Sequence, residues 1–245
     1  MSKIQKFIRI VAACSFAIAA IMFMSGSAAA QDEGAQLDAS KVPATASKLG
    51  GFVPAGWKIE EDVAGDLDQD GVADHVLKLI EDKPGTDKDG TAIDRSRAMV
   101  IVLTGKDGVL HKAAVSDKLL QCTGCGGAFY GVSEAPANVS ISKGVIVVEQ
   151  DYGSRWVTEM TFRFRYDARS SMFALIGFDF ASRDRAEGGG ASESTNYLTG
   201  TRITTTGKGK RTTTKTTKIA KEALSIEEVD KDKFDEAANK RLGLD

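Results

Sequence analysis

The feature that most restricts the fold of this chain is a segment, residues 155–166, in which apolar and polar residues alternate. Its aromatic residues and its methionine occupy even-numbered positions, whereas its charged residues occupy odd-numbered ones. A strand directs successive side chains to opposite faces, so one face of this segment is expected to be buried and the other solvated. The pattern predicts a long β-strand in an antiparallel sheet.

Shorter apolar runs of the same type fill most of the chain and are separated by Gly- and Asp-rich turns. The expected strands are residues 57–63, 75–81, 97–104, 109–115, 139–141, 145–149, 173–181, 196–206 and 211–219. No helical crossover separates consecutive strands, which favours antiparallel neighbours. The predicted fold class is mainly β, an antiparallel meander sheet or propeller-like hairpins, with a C-terminal helix.

The remaining segments complete the predicted domain organisation. Residues 31–51 are interpreted as a flexible leader, residues 52–220 as the β domain and residues 221–245 as a helical tail. Within the tail, Ser225 and Glu228 have the spacing of a capping box and predict a helix over residues 225–242. Residues 183–193, which are charged and glycine-rich, are expected to be a flexible loop. The basic, Thr-rich residues 196–219 favour a solvated hairpin edge over a polyanion site.

The N-terminus has the three parts of a secretory signal peptide. Lys3, Lys6 and Arg9 precede an apolar run over residues 10–24, and three alanines at 28–30 offer a cleavage site before Gln31. A membrane anchor is the alternative, but the run is shorter than the roughly 20 residues that span a bilayer core. A lipoprotein is a weaker alternative because Cys14 opens the apolar run rather than closing it. We therefore expect residues 1–30 to be removed and the protein to be exported to the periplasm or the extracellular space.

Charge and hydropathy limit the classes of partner that are expected for the exported form. The chain has a formal charge of −2, and loss of the three basic residues of the signal peptide makes it −5. A nucleic-acid partner is not expected, because such proteins present a basic patch. No segment of the mature chain is long and apolar enough to predict a membrane span.

Residues 65–74, GDLDQDGVAD, are the sharpest local motif, with aspartates at loop positions 1, 3, 5 and 9 and a glycine at position 6. Ca²⁺ takes six to eight oxygen ligands, and this spacing wraps carboxylates around one point. The expected ligands are the side chains of Asp66, Asp68, Asp70 and Asp74 and the carbonyl of Val72. The motif does not predict an EF-hand, because position 12 is Leu77 and the flanking residues have strand patterns.

The loop, together with the strands predicted on both sides of it, resembles a single FG-GAP or VCBS-type repeat, in which an acidic loop joins two strands. That resemblance implies the same Ca²⁺ ligands. A bound Ca²⁺ ion is expected to have a structural rather than a catalytic role. It covers residues 57–81, and one copy does not predict a complete propeller. The chain is also similar to exported bacterial proteins that combine such a loop with the segment NYLTG, here residues 196–200. An acidic turn without a metal is the alternative reading of the loop.

Cys122 and Cys125 are the cysteines that would remain after export, and an oxidising compartment favours a disulfide between them. Thiol–disulfide catalysis needs the first cysteine at a helix N-terminus, which the two glycines at 126 and 127 disfavour. Metal binding has little support because no second pair is present. The expected role is to fix the shape of a local loop.

No catalytic motif is recognisable, and His75 and His111 are expected to be ordinary strand residues. The leading hypothesis is an exported, non-enzymatic, Ca²⁺-stabilised binding or interaction protein of the bacterial cell envelope, with a protein or a glycan as partner. The alternative is an exported hydrolase that uses two carboxylates, although no pair can be singled out. A thiol–disulfide protein is a third reading. Enzymatic activity is thus left open, with the balance against it.

Overall fold

The computed structural model describes residues 34–208, 211–221 and 223–244. These residues form two β-sheets and one α-helix, α1 (Lys231–Leu242). The first sheet contains β1 (Thr45–Ala46), β2 (Trp57–Gly65), β3 (Asp74–Glu81), β4 (Arg97–Thr104) and β5 (Leu110–Ser116). The second sheet contains β6 (Ala137–Ser142), β7 (Val145–Gly153), β8 (Trp156–Asp167), β9 (Met172–Asp184), β10 (Gly190–Asn196), β11 (Thr201–Lys208) and β12 (Arg211–Lys218).

Both sheets are antiparallel, which confirms the predicted fold class. The five-stranded sheet has the order β1-β5-β4-β3-β2, and the seven-stranded sheet runs from β12 to β6 in uninterrupted sequence order. Each connection in the second sheet is therefore a hairpin, as expected for a meander. The alternating residues 155–166 lie in β8, whose even-numbered side chains at 160, 162 and 164 are buried.

The two sheets share one hydrophobic core with α1. Met99 and Ile101 of β4 belong to the same buried cluster as Val148 of β7, Phe162 of β8 and Leu242 of α1. The other face of the five-stranded sheet packs in a second cluster. β3 and β4 are thus covered on both faces, which accounts for their nearly continuous apolar sequences.

The prediction of a flexible leader is wrong for residues 34–51. Leu37 and Val42 are almost fully buried against the outer face of the five-stranded sheet, together with Phe52. β1 adds to the edge of β5, and the Lys112 ammonium donates a 2.7 Å hydrogen bond to the Val42 carbonyl. The predicted signal peptide and its cleavage site before Gln31 lie outside the described residues.

Two further segments differ from the sequence-based expectations. Residues 183–193 are mostly strand, because β9 continues to Asp184 and β10 starts at Gly190 after a short turn. The helix begins at Lys231 rather than at residue 225, with Asp230 as its N-cap. The predicted contact between Ser225 and Glu228 does form, since the Ser225 N–H donates to the Glu228 carboxylate at 2.8 Å. However, Ser225 pairs with Ala174 of β9 instead of starting a helix.

In the described residues no helix combines the length and the apolar character needed to cross a membrane.

Candidate functional site

The acidic loop connects β2 and β3 as the turn of a hairpin in which Gly65 pairs with Asp74. The backbone makes this turn through left-handed conformations at Gln69, with a φ of 65°, and at Gly71, with a φ of 89°. Glycine adopts a positive φ without the steric cost that other residues have, which explains why loop position 6 is Gly71. Leu67 points inward from the loop and is fully buried in the core between the sheets.

Three of the predicted ligands converge. Carboxylate oxygens of Asp66, Asp68 and Asp74 all lie within 4.8 Å of one another. The Oδ1 atom of Asp66 is buried and has no hydrogen-bond partner among the described residues. Three acidic groups at this separation repel one another and can hold a hard divalent cation through oxygen atoms.

Asp74 is also the anchor of the loop. Its carboxylate is completely buried and accepts hydrogen bonds from the Leu67 N–H at 2.8 Å and from the Thr104 N–H at 2.9 Å. One side chain therefore ties the loop to the end of β4, a contact between residues thirty positions apart. The motif spacing identified Asp74 but gave no indication of Thr104.

Asp70 and Val72 do not belong to the converging group, unlike the other three expected ligands. The Asp70 carboxylate lies outside the group of three and accepts a 2.8 Å hydrogen bond from the Val72 N–H. The Gly71 N–H donates to Asp66 at 3.1 Å, and the Asp70 N–H donates to Asp68 at 3.1 Å. Coordination by Asp70 and by the Val72 carbonyl stays a prediction from the motif.

The electrostatic environment of Asp68 disfavours its ionised form. Partial burial raises the pKa of the Asp68 carboxyl, and the negative charges of Asp74, Asp70 and Asp66 add to this effect, while the Asp70 N–H opposes it. A bound cation would reverse the sign of the local potential and favour ionisation. The loop is thus a site where a cation and the carboxylates would stabilise each other.

The loop lies against the β6–β7 hairpin of the other sheet. A Cβ atom on Gly65 would approach Cγ2 of Ile141 to 2.7 Å, and one on Gly144 would lie 3.4 Å from the Asp66 carbonyl oxygen. Backbone and side chains of the two hairpins are therefore packed closely. A more rigid acidic loop would stiffen this contact between the two sheets.

The cysteine pair forms a separate feature. The sulfur atoms of Cys122 and Cys125 are at disulfide distance, in the loop between β5 and β6. A short 3₁₀ helix starts only at Gly127, so Cys122 does not lie at the start of an α-helix. A cavity of about 140 Å³ next to the pair is lined by loop residues that include Gly124 and Tyr130, and none of the five predicted metal ligands lines it.

The two histidines contact neighbouring strands. His75 of β3 forms a 2.9 Å contact through Nδ1 with the carboxylate of Asp62 on β2. His111 of β5 pairs with Thr45 of β1. Neither histidine belongs to the three-residue acidic group.

A second candidate surface lies on the face of the seven-stranded sheet that points away from the core, and the sequence analysis did not single it out. Depressions of about 410 Å³ and 300 Å³ share Glu159 and Thr161 and so form one polar trough across β6–β11. The short side chain of Ala181 leaves space in the centre of this trough. Ala181 lies in register between Glu159 and Ser192, whose side chains are longer. Only the alternation of β8 could have indicated this wet face.

Three acidic groups of the polar trough, those of Glu159, Asp179 and Asp151, have polar partners. Glu159 binds Arg183 at 2.5 Å and Asp179 binds Arg163 at 2.6 Å, and these side chains are substantially exposed. Tyr130 donates its hydroxyl to Asp151. Burial, and then the contact with Asp151, raises the pKa of Tyr130 to about 12, so this hydroxyl remains a donor at neutral pH.

No family model, curated protein sequence or solved structure matches this chain. The likeness of the acidic loop to FG-GAP and VCBS-type repeats therefore stays a prediction that rests on the loop residues.

Proposed function

We propose that this protein is an exported, non-enzymatic binding protein of the bacterial cell envelope, stabilised by Ca²⁺ in the acidic loop. The observation that carries the proposal is the convergence of Asp66, Asp68 and Asp74 in a loop packed against the second sheet. The export signal inferred from the sequence would place this loop in a compartment where Ca²⁺ is plentiful.

The chemistry of the loop favours Ca²⁺ over softer metals. Its candidate ligands are all oxygen atoms, and neither histidine nor cysteine is part of the group. Zinc and other transition metals prefer nitrogen or sulfur ligands, whereas Ca²⁺ takes carboxylates and carbonyls. The burial of Asp74, whose two oxygens already accept N–H groups, supports a structural role for the ion rather than a catalytic one.

The polar trough is the surface we assign to partner binding, with a protein or a glycan of the envelope as partner. It combines exposed ion pairs with the hydroxyl of Ser194, which itself donates to Asp179 at 2.7 Å. Such groups offer both donors and acceptors to a polar ligand. Adjacent strands hold them in fixed register, so little ordering would accompany binding.

Thermal unfolding with and without Ca²⁺ tests the proposal. Starting from EDTA-treated protein, we expect 10 mM CaCl₂ to raise the Tm by about 3–10 °C, given dissociation constants of roughly 10⁻⁴–10⁻³ M for extracellular sites. Asp68→Asn should remove this rise because it deletes one charge of the converging group. Asp87→Asn, in the exposed β3–β4 loop, should keep it and serves as the control.

An unchanged Tm at 10 mM CaCl₂ would rule out the calcium part of the proposal. Retention of the full rise in Asp68→Asn would show that the ion binds elsewhere. Asp70→Ala tests whether Asp70 is a ligand in addition to the three converging aspartates. Loss of the Tm rise in this variant would place Asp70 in the coordination sphere, as the motif predicts.

A hydrolase that uses Asp151 and Glu159 is the second candidate. These residues are direct cross-strand partners on β7 and β8 and line the same depression. A pair of nearby carboxylates is what glycoside hydrolysis requires. However, Tyr130 donates to the Asp151 carboxylate and Arg183 binds the Glu159 carboxylate, so both are already engaged. The depression that they line is a shallow surface trough. These contacts favour the binding function.

A further inference from the structure

The outer edge of β12 is the feature that the proposed function leaves unexplained. β12 pairs with β11 over eight residue pairs, from Thr201 opposite Lys218 to Lys208 opposite Arg211, without a register shift. It is the last strand of its sheet, and all eight of its side chains are exposed. One row of backbone N–H and C=O groups therefore faces solvent along its length.

The other three sheet edges of the described chain are protected. β1 is only two residues long. β2 carries a bulge between Ile59 and Glu61, a common device against edge-to-edge pairing. β6 lies beside the β2–β3 hairpin, where Ile141 packs against Gly65. β12 has no bulge, no proline and no covering segment among the described residues.

The charge of the hairpin selects what can pair with that edge. Residues 196–221 contain seven basic residues and no acidic residue, in a chain whose net charge is −2. On β12, Arg211 and Lys215 project from one face and Lys218 from the other, because successive side chains alternate. A second copy of the chain would place these cations opposite one another, which opposes self-pairing. A strand with acidic side chains would be attracted.

We propose that the free edge of β12 binds an extended, acidic peptide segment of a partner protein by β-strand addition. Main-chain hydrogen bonds would supply the pairing, and the cations of β12 would supply the selectivity. The threonines between them suit a strand, since β-branched residues favour this conformation. The inference rests on the proposed function in that it names one kind of partner, but it does not depend on Ca²⁺ or on the polar trough.

The spacing on β12 defines the ligand. Arg211 and Lys215 are four residues apart and share a face. A complementary strand therefore carries its acidic side chains on that same face, opposite Arg211 and Lys215. A suitable probe is a fluorescein-labelled, eight-residue peptide that alternates Glu with Val or Thr. Two matched peptides control it: one with Lys in place of every Glu, and one with N-methyl groups along the edge that would join β12.

Fluorescence anisotropy with the full mature chain tests the proposal. The Glu peptide should bind, whereas the Lys peptide and the N-methylated peptide should not, because one lacks the charge and the other the backbone donors. The double variant Arg211→Glu, Lys215→Glu should weaken binding of the Glu peptide by about tenfold or more and bind the Lys peptide instead. The double variant Lys88→Glu, Lys106→Glu, in the exposed β3–β4 loop and β4–β5 turn, lowers the net charge by the same amount. It should change neither affinity and is the charge-matched control.

Two outcomes would overturn strand addition. Equal binding of the N-methylated peptide would mean that the hairpin attracts polyanions without pairing a strand. Absence of binding by the Glu peptide would also overturn it. Both results leave the calcium-dependent Tm unaffected, so failure here is distinguishable from failure of the proposed function. Unchanged melting of the double variant would confirm that it is folded.

Discussion

At the scale of single residues, Asp74 shows how one side chain can serve both the fold and the candidate site. Its charge is removed from water, and two backbone N–H groups from different elements compensate for part of that cost. Hydrogen bonds to a charged group contribute more to stability than those between neutral groups. Asp74 therefore holds the acidic loop against β4 even before any ion is considered.

Asp74→Asn should destabilise the protein by about 2–3 kcal/mol, because the amide nitrogen replaces one acceptor and leaves a buried N–H without a partner. Urea unfolding in the presence of EDTA measures the free energy of unfolding without a contribution from Ca²⁺. Asp107→Asn is the matched control, since Asp107 accepts one N–H in an exposed turn. A loss smaller than that of the control would contradict the anchoring role.

The candidate site was partly predictable at this scale. Motif spacing alone located Asp66, Asp68 and Asp74, because a short loop brings its own side chains together. Thr104 could not be found in this way, since its contact depends on how β3 and β4 pair. The charges of the polar trough come from different strands, and their distances are set by register rather than by sequence separation.

At the scale of elements, strands with clear alternation or solid apolar runs were predictable and the less regular ones were not. The apolar pattern does not predict β10, because its sequence, GASESTN, contains no large apolar residue. Its Glu193 is nevertheless buried, paired with Arg202 at 3.2 Å and with Arg241 of α1 at 2.6 Å. The spacing of a capping box predicts a helix from residue 225, but residues 225–230 form an irregular segment in which Ile226 and Val229 are buried in the core.

The helix docks through contacts that are also pH-sensitive. Phe234 packs between Phe162 and Phe178, with ring centroids 5.5 and 5.1 Å away. Asp235 accepts a 2.6 Å hydrogen bond from the Tyr152 hydroxyl. Burial raises the pKa of Asp235 above its ordinary value, and the hydrogen bonds and the nearby Lys231 only partly oppose this.

Asp235→Asn should therefore raise the Tm at pH 7. A raised folded-state pKa means that the folded protein binds the proton more tightly than the unfolded chain, so stability falls as pH rises from the unfolded pKa through the folded one. The amide avoids this loss and can still accept a hydrogen bond from the Tyr152 hydroxyl. The Asn239 side chain, which donates to Asp235 at 3.1 Å, can rotate its amide to present the oxygen instead. Melting curves from pH 3 to pH 7 should show a gain that grows with pH and is absent at pH 3.

Glu236→Gln, on the exposed side of the same helix, is the control for this substitution and should show no such pH-dependent gain. A gain in Asp235→Asn that is equal at pH 3 and pH 7 would mean that burial of the charge is not its cause.

At the scale of the whole molecule, the five-stranded sheet is covered on its outer face by residues 34–53, a layer that the sequence pattern does not predict. Residues 34–53 contain few large apolar side chains, which favours a leader. Nevertheless, Leu37, Val42 and Phe52 are buried in the second core cluster, and Leu49 and Val53 pack against it. They cover the outer face of β3 and β4, where Leu79 and Val100 would otherwise meet solvent. The apolar runs of these strands require cover on both faces, and that requirement was a signal that a second covering segment exists.

Phe52→Ala tests this layer because Phe52 is fully buried in it. If residues 34–53 pack on the sheet, the substitution removes a large buried side chain and should cost about 3–5 kcal/mol of unfolding free energy. A leader detached from the sheet would give a change near zero. Phe129→Ala supplies the comparison, because Phe129 is only partly buried, under the Arg185 guanidinium, and should cost clearly less in the same urea titration.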